Sequence, residues 1–275
     1  CLEAEASLSY DTVLQWKREC EVEIAKRGLL FHDMGHGWTA DPFGLDTAAG
    51  WKKDNNDELT DEIRQYLAQI DGVRGLFMNN ALCTNLCMSN PKARTIMAQS
   101  IADYAETHKN VTYIHVWLAD ASRNHCECAE CQKKRPSDFY IMIMNELDEE
   151  LTRRGIDKIV SFSFYVDMMF APSVEKIKNP NRFRMVFCPI TRTYSASMDS
   201  FEGLPEPIPY VRNNWKVPKT MEEVYSLLKQ WRNAFPGPFS VFEYHFWMHQ
   251  YRDPGLMSIS RRIYEDVRSY KPTYM

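Results

Sequence analysis

Apolar and polar positions along this chain repeat with two periods. From Tyr10 to Lys26 the spacing is that of an amphipathic helix, followed by a short apolar run, GLLFHD at 28–33. GVRGLFMNN at 72–80 reads as a weaker strand. Pro91 to His108 predicts a helix with proline in its first turn and Ile96, Met97, Ile101, Tyr104 and Ala105 on one face. VTYIHVWLAD at 111–120 is rich in β-branched and aromatic residues and predicts a strand. Ser137 is placed to cap the next helix, whose stripe of Tyr140, Ile143, Met144, Leu147 and Leu151 runs until Gly155. Strands are predicted at 158–165 and 182–190. Thr220 and Glu223 form a T-x-x-E capping box opening a helix that ends at Pro236 and Gly237. FSVFEYH at 239–245 is the last strand, and a final helix spans about 256–270.

Strands that alternate with helices imply a parallel sheet covered by helices. The expected architecture is a single (β/α)8 TIM-barrel-like domain over residues 1–275. Fewer than eight strands are evident, so either Val73–Asn80 and Pro209–Asn213 are disguised strands or the chain is an incomplete barrel that has lost its first strands. The stretch Pro189–Pro218 holds five prolines and predicts a long functional or capping loop.

The polar residues that follow each strand carry the chemistry. They are His32, Asp33, His36 and Trp38 after the first, Asp120 after 111–118, and Tyr165 and Asp167 after 159–164. Thr191, Arg192 and Tyr194 follow 184–188, and Glu243, Tyr244, His245 and Trp247 follow 239–242. In a parallel α/β fold the C-terminal strand ends share one face, so these groups are expected to converge on one cleft. No G-x-G-x-x-G, P-loop or G-x-S-x-G occurs, which excludes the common dinucleotide, phosphate and elbow-serine sites and predicts no organic cofactor.

Paired carboxylates beside aromatic rings suit glycosidic-bond cleavage, in which one acid protonates the leaving oxygen and a second acts as nucleophile or base. Asp120 and Glu243 are the candidate catalytic pair. His32, His36, Trp38, Tyr165, Arg192, Tyr244, His245 and Trp247 are candidate carbohydrate-binding residues. In the competing reading each acid merely pairs with Arg192 or Arg123 and holds loops; His115, mid-strand, reads equally well as a core histidine. A third reading is metal chemistry at His32, Asp33 and His36, although the i, i+4 histidines leave a strand rather than riding a helix.

Of eight cysteines, Cys20 and Cys188 lie in apolar runs and read as buried small hydrophobes. Cys126, Cys128 and Cys131 form C-x-C-x-x-C, which with Cys87 can make a four-cysteine zinc site; Cys83 and His125 are alternative fourth ligands. Disulfides within the same set are the alternative in an oxidising compartment. In either case the cluster pins the loop after Asp120.

A net charge of −4 and a pI near 6.0 argue against nucleic acid as a partner. No run approaches the length of a membrane span. Aromatics at 13% fit either a large core or a ring-lined cleft. A start at Cys1 reads as a trimmed boundary, or as the mature end of a bacterial lipoprotein.

LCMSNP around Cys87, then WLAD through CECAEC, PSDFYIMIMNEL at 136–147 and SFSFY at 161–165 together resemble the DUF4838 family. The matching positions are Cys87, Asp120, Cys126, Cys128, Cys131 and Ser137 to Asn145, within a resemblance spanning about 70–245. It implies a glycoside-hydrolase-like barrel of polysaccharide-degrading bacteria, a periplasmic, cell-surface or secreted location, and an N-terminal domain ahead of the barrel. The expected function is therefore hydrolysis of a poly- or oligosaccharide, with carbohydrate binding without cleavage as the alternative. A homo-oligomer or a further upstream domain is the expected way to complete the fold.

Overall fold

The β-branched and aromatic runs become strands only where neighbouring chain pairs with them. In the computed structural model, residues 9–48, 50–198, 203–247, 253 and 255–274 are described; Cys1 lies outside them. Helix α1 (Tyr10–Lys26) leads to strand β1 (His32–Asp33). The short helix α2 (Asp61–Arg64) and a hairpin of β2 (Gln69–Ile70) and β3 (Val73–Arg74) follow. Then come α3 (Pro91–Thr107), β4 (Tyr113–His115), α4 (Pro136–Arg153), β5 (Ile159–Phe164), β6 (Phe183–Phe187), α5 (Met221–Ala234), β7 (Phe239–Val241) and α6 (Met257–Tyr274).

Five strands form one parallel sheet in the order β1-β4-β5-β6-β7. The expected (β/α)8 barrel is not formed by the described residues. The reason lies in the two stretches credited with extra strands. Residues 72–80 contribute only Val73–Arg74, which pairs antiparallel with β2 and stays outside the main sheet. Residues 209–213 pair with no strand; the prolines at 205, 207 and 209 remove amide donors that a ladder needs. The α/β class stands; barrel closure does not.

Side chains alternate across each strand, so register decides which face each residue serves. Val160, Phe162 and Phe164 are matched with Phe183, Met185 and Phe187, and all six are fully buried. Phe162 meets Tyr140 of α4, Trp231 of α5 and Phe235 just after α5, at ring separations of 6.1, 5.7 and 5.1 Å. This is the helix side. The opposite parity holds Ser161 beside His115 and, further along, Ser163. Small polar residues there leave room for a concave surface.

Helix starts follow their caps. Thr220 and Glu223 exchange hydrogen bonds as the capping box requires. At α4 the expected cap, Ser137, is corrected: Arg135 is the cap residue, Pro136 and Ser137 lie inside, and Asp138 bonds back to the Arg135 amide at 2.9 Å. Helix α1 is less buried than its periodicity predicts, since Val13 and Trp16 are 47% and 50% exposed and Cys20 is exposed. It is tied to β1 by charge, through Lys17 and Arg18 on the buried Asp33. No helix among the described residues is long and apolar enough to cross a membrane.

Candidate functional site

Strand β4 stops pairing soon after His115, where the Val116 amide still reaches Ser161 O at 2.9 Å. The chain then runs free to Asp120. The Asp120 amide bonds Leu82 O at 2.8 Å, and that bond turns its carboxylate into a cavity of about 530 Å3. Trp117, Ser163 and Cys188 supply wall from three neighbouring strands or their ends, Tyr165 and Tyr244 add phenol groups, and the exposed indoles Trp51 and Trp247 stand at the rim.

Two polar groups face Asp120. Tyr165 Oη donates to Asp120 Oδ1 at 3.2 Å, and burial followed by the Asp120 charge raises the Tyr165 pKa, so it stays a donor. His36 Nδ1 donates to Leu118 O at 2.6 Å. That contact fixes the tautomer, because a carbonyl only accepts. The other nitrogen, Nε2, then faces Asp120 Oδ1 at 3.7 Å, without a proton when the ring is neutral and with one when it is charged.

The structure gathers Asp120, His36, Tyr165, Tyr244 and Trp247 around this cavity. Trp38 lines a neighbouring cavity of about 470 Å3, which shares His36 with the first, and Trp38 Nε1 donates to His115 O at 3.0 Å. His32 stacks on Tyr113 and contacts His115 Nε2 at 3.1 Å. Asp33, the third member of the metal reading with His32 and His36, is occupied by Lys17, Arg18 and Tyr104. Asp167 is buried, accepting from the Arg123 amide at 2.9 Å and Trp215 Nε1 at 2.8 Å.

Glu243, Arg192 and His245 lie in a second constellation. Arg192 Nη1 donates to Glu243 Oε1 at 2.8 Å and Nη2 pairs with Asp266 Oδ2 at 3.0 Å. Tyr194 donates to Glu243 Oε2 at 2.8 Å, Tyr270 donates to Oε1, and His245 Nε2 meets Asp266 at 2.8 Å. Glu243 does not line the Asp120 cavity. Glu243, His245 and Asp266 are close enough to hold a metal ion, but the Arg192 guanidinium already stands between the two carboxylates.

The three cysteines of the C-x-C-x-x-C cluster and Cys87 come together with all ligand atoms within 4.8 Å of one another, so they can hold a metal ion. Every cysteine among the described residues is free of disulfides. Hydrogen bonds from the Cys126 and Cys131 thiols hold Cys87 far below the usual thiol range. The Gln69 amide points at Cys126 Sγ at 3.3 Å and Arg74 Nη1 lies 3.9 Å from the same sulfur.

A family profile described as a domain of unknown function, DUF4838, matches residues 10–254. The chain belongs to the DUF4838 family. No curated protein and no solved structure matches it. In this DUF4838 chain the helix that begins PSDFY turns out to be a clamp: Asp138 accepts the amides of Ser173, Val174 and Glu175 at 2.7–2.9 Å, and Asn145 bonds Lys176 O and the Lys178 amide.

Reasoning from strand ends missed Trp51, Asn85, Trp117 and His125 as lining residues. Trp117 was legible from parity, since it shares a face with His115. Asn85 comes from an irregular segment and Trp51 from a single 3-10 turn at Gly50–Lys52, neither long enough to carry a periodic signal.

His115 makes a pH dependence predictable. It is 3% exposed, and burial, then His32, push its pKa down to about 4 from 6.5, with Asp33 opposing. Above 6.5 both folded and unfolded chains hold it neutral. Below that, unfolded chains take up the proton first, so stability falls as pH drops from 6.5 toward about 4 and the loss then levels off. The full effect is about 3 kcal/mol. Urea unfolding across this range should show the decline in the parent and a flatter profile in His115→Gln; equal slopes would place the acid sensitivity elsewhere.

Proposed function

We propose that the Asp120 cavity binds a carbohydrate, with indole rings as stacking surfaces and the Asp120, Tyr165 and His36 set as its polar centre. The observation that carries this reading is one oriented carboxylate at the end of a parallel strand, inside a cavity rimmed by Trp51 and Trp247. Sugars present apolar ring faces and a fringe of hydroxyls, which such walls match.

Hydrolysis of a glycosidic bond is the second reading. It is favoured by the placement of the Asp120 carboxylate inside the cavity, with the Tyr165 hydroxyl bonded to it at 3.2 Å and His36 Nε2 facing it at 3.7 Å, an arrangement that can orient an acid group. Its second carboxylate is not Glu243, whose oxygens are taken by Arg192, Tyr194 and Tyr270. Among the described lining residues Asp120 is the one carboxylate. For that reason binding comes first.

Binding of oligosaccharides by the parent, Trp51→Ala and Asp120→Asn chains tests both. Trp51→Ala is expected to weaken binding about tenfold without altering stability, because the ring is 63% exposed. Asp120→Asn should change affinity only a few-fold on the binding reading. If the parent also turns over substrate, Asp120→Asn should lower turnover by about 10²–10⁴. No binding by the parent across neutral and charged polysaccharide fragments would sink the proposal.

We also take the ion suited to the four thiols to be zinc, since thiolate sets of this kind favour it and a closed shell of four thiolates is structural rather than catalytic.

A further inference from the structure

We infer that a metal ion at Cys87, Cys126, Cys128 and Cys131 is the positioning element of the cavity wall, holding Asn85, Asp120 and His125 in place from outside the cavity. This rests on the zinc reading of the four thiols. Sulfur atoms on a tetrahedral zinc, at bonds of about 2.3 Å, stand about 3.8 Å apart. Cys87 Sγ lies 3.7 Å from Cys128 Sγ and 3.9 Å from Cys131 Sγ. The Gln69 amide, the Ser89 hydroxyl and Arg74 surround the sulfurs with polar groups of the kind that orient and compensate thiolates.

The cavity wall on this side is built from two segments without regular structure, 82–87 and 119–126. Each ends in a ligand. They are stitched to each other along their length: the Asp120 amide to Leu82 O at 2.8 Å, Asn124 Nδ2 to Cys83 O at 2.8 Å, and Asn85 Nδ2 to Asn124 Oδ1 at 2.8 Å. Asn85 Oδ1 accepts the Ala119 amide at 3.3 Å. Arg123 within this wall adopts φ +60°, a conformation that a non-glycine residue holds only when its surroundings impose it. An ion joining Cys87 to Cys126 closes this pair of strings into a loop. The strap at 212–213 grips the same knuckle, with Arg212 on the Cys126, Cys131 and Lys134 carbonyls and Asn213 on the His125 backbone. The strap holds the carbonyl side of the knuckle, and residues 66–69 back both segments through weaker links, with the Cys87 amide on Tyr66 O at 2.7 Å, the Ala68 amide on Asn85 O at 2.9 Å and the Glu127 amide on Gln69 O at 2.7 Å; the ion adds the direct coordinate link from Cys87 to the knuckle.

The test uses the whole chain and no sugar. Metal content is measured first, with cobalt substituted to read thiolate charge-transfer absorption. Backbone hydrogen exchange is then followed in the loaded chain, after removal of the ion by a chelator, and in Cys128→Ser. One ion per chain is expected. On its removal, amides in 82–87 and 119–126 should exchange at least about tenfold faster, while those of 159–164 and 183–187 keep their rates. Re-adding zinc should restore protection. A stoichiometric ion whose removal leaves 82–87 and 119–126 protected would overturn the positioning role and keep the zinc site. Faster exchange everywhere would also overturn it, since the ion would then hold the fold as a whole. No bound metal in the parent would remove the zinc reading itself. The carbohydrate reading stands or falls separately, because no outcome here involves a sugar.

Discussion

Arg192→Met is expected to lower stability by about 3–5 kcal/mol, among the largest losses available to one substitution in this chain. Arg192 is 2% exposed and its guanidinium lies between Glu243 and Asp266, of which Asp266 is fully buried. Methionine fills much of the volume but leaves two carboxylates facing each other without a cation. Burial opposes ionisation of Asp266, and hydrogen bonding from His245 with the Arg192 charge more than offsets this, holding its carboxyl below the usual range. Removing Arg192 reverses that balance. The loss should be concentrated on α6, which carries Asp266, while the Arg192→Lys variant keeps the charge without the two-armed geometry and should fall between. Denaturant unfolding of both variants beside the parent decides the matter. A loss under about 1 kcal/mol in Arg192→Met would mean that water or rearranged tyrosines satisfy the two acids, and that Glu243 is free for other work.

That network explains why one half of the candidate site was legible and the other was not. Asp120 could be placed from VTYIHVWLAD alone, because a β-branched run ending in an acid delivers the acid beyond the strand whatever the rest of the fold does. Glu243 sits at the equivalent place after FSVF, yet its partners come from the 192–194 turn and from α6, 27 residues beyond it in the case of Tyr270. No local pattern reveals a partner so distant, and the possibility that Arg192 takes an acid was visible only as an alternative. The cysteines were readable for the opposite reason: three ligands within six residues constrain each other, and the fourth needs only one long-range contact. The barrel was overcounted because strand-like composition in 72–80 and 209–213 carries no information on whether a neighbour is present to pair. Asp138 and Asn145 belong to the stretch that resembled the family. The pattern of this helix start pointed to Ser137 as the cap and gave neither residue a role; their reach to 173–178 required the tertiary structure.

Asp138→Ala is expected to lower stability by about 3–4 kcal/mol, because one buried carboxylate serves five hydrogen bonds. Oδ1 accepts the amides of Ser173, Val174 and Glu175; Oδ2 accepts the Arg135 amide and the Ser173 hydroxyl. The side chain is 0% exposed, whereas Ser173 and Val174 are exposed, so water can take over part of what alanine abandons. That is why the estimate stays below the sum of five separate bonds. Asp138→Asn separates charge from shape. Its oxygen can replace one carboxylate oxygen, but its amide nitrogen then faces donors, so about half of the loss should remain. The acid profile gives an independent reading. Burial raises the Asp138 pKa, the amides of Glu175 and Val174 and the Ser173 hydroxyl lower it more, and the net value lies below the usual 3.8. A depressed carboxyl stabilises the fold above its unfolded value, and that contribution disappears as pH falls from about 3.8 through the folded value. The alanine variant should therefore show a weaker pH dependence than the parent below pH 4, along with its lower midpoint at neutral pH. Unfolding curves at neutral and acid pH for the parent and both variants check this. Equal midpoints at neutral pH would show that the 173–178 loop docks without the clamp, and that this stretch of the family pattern has a role other than holding it.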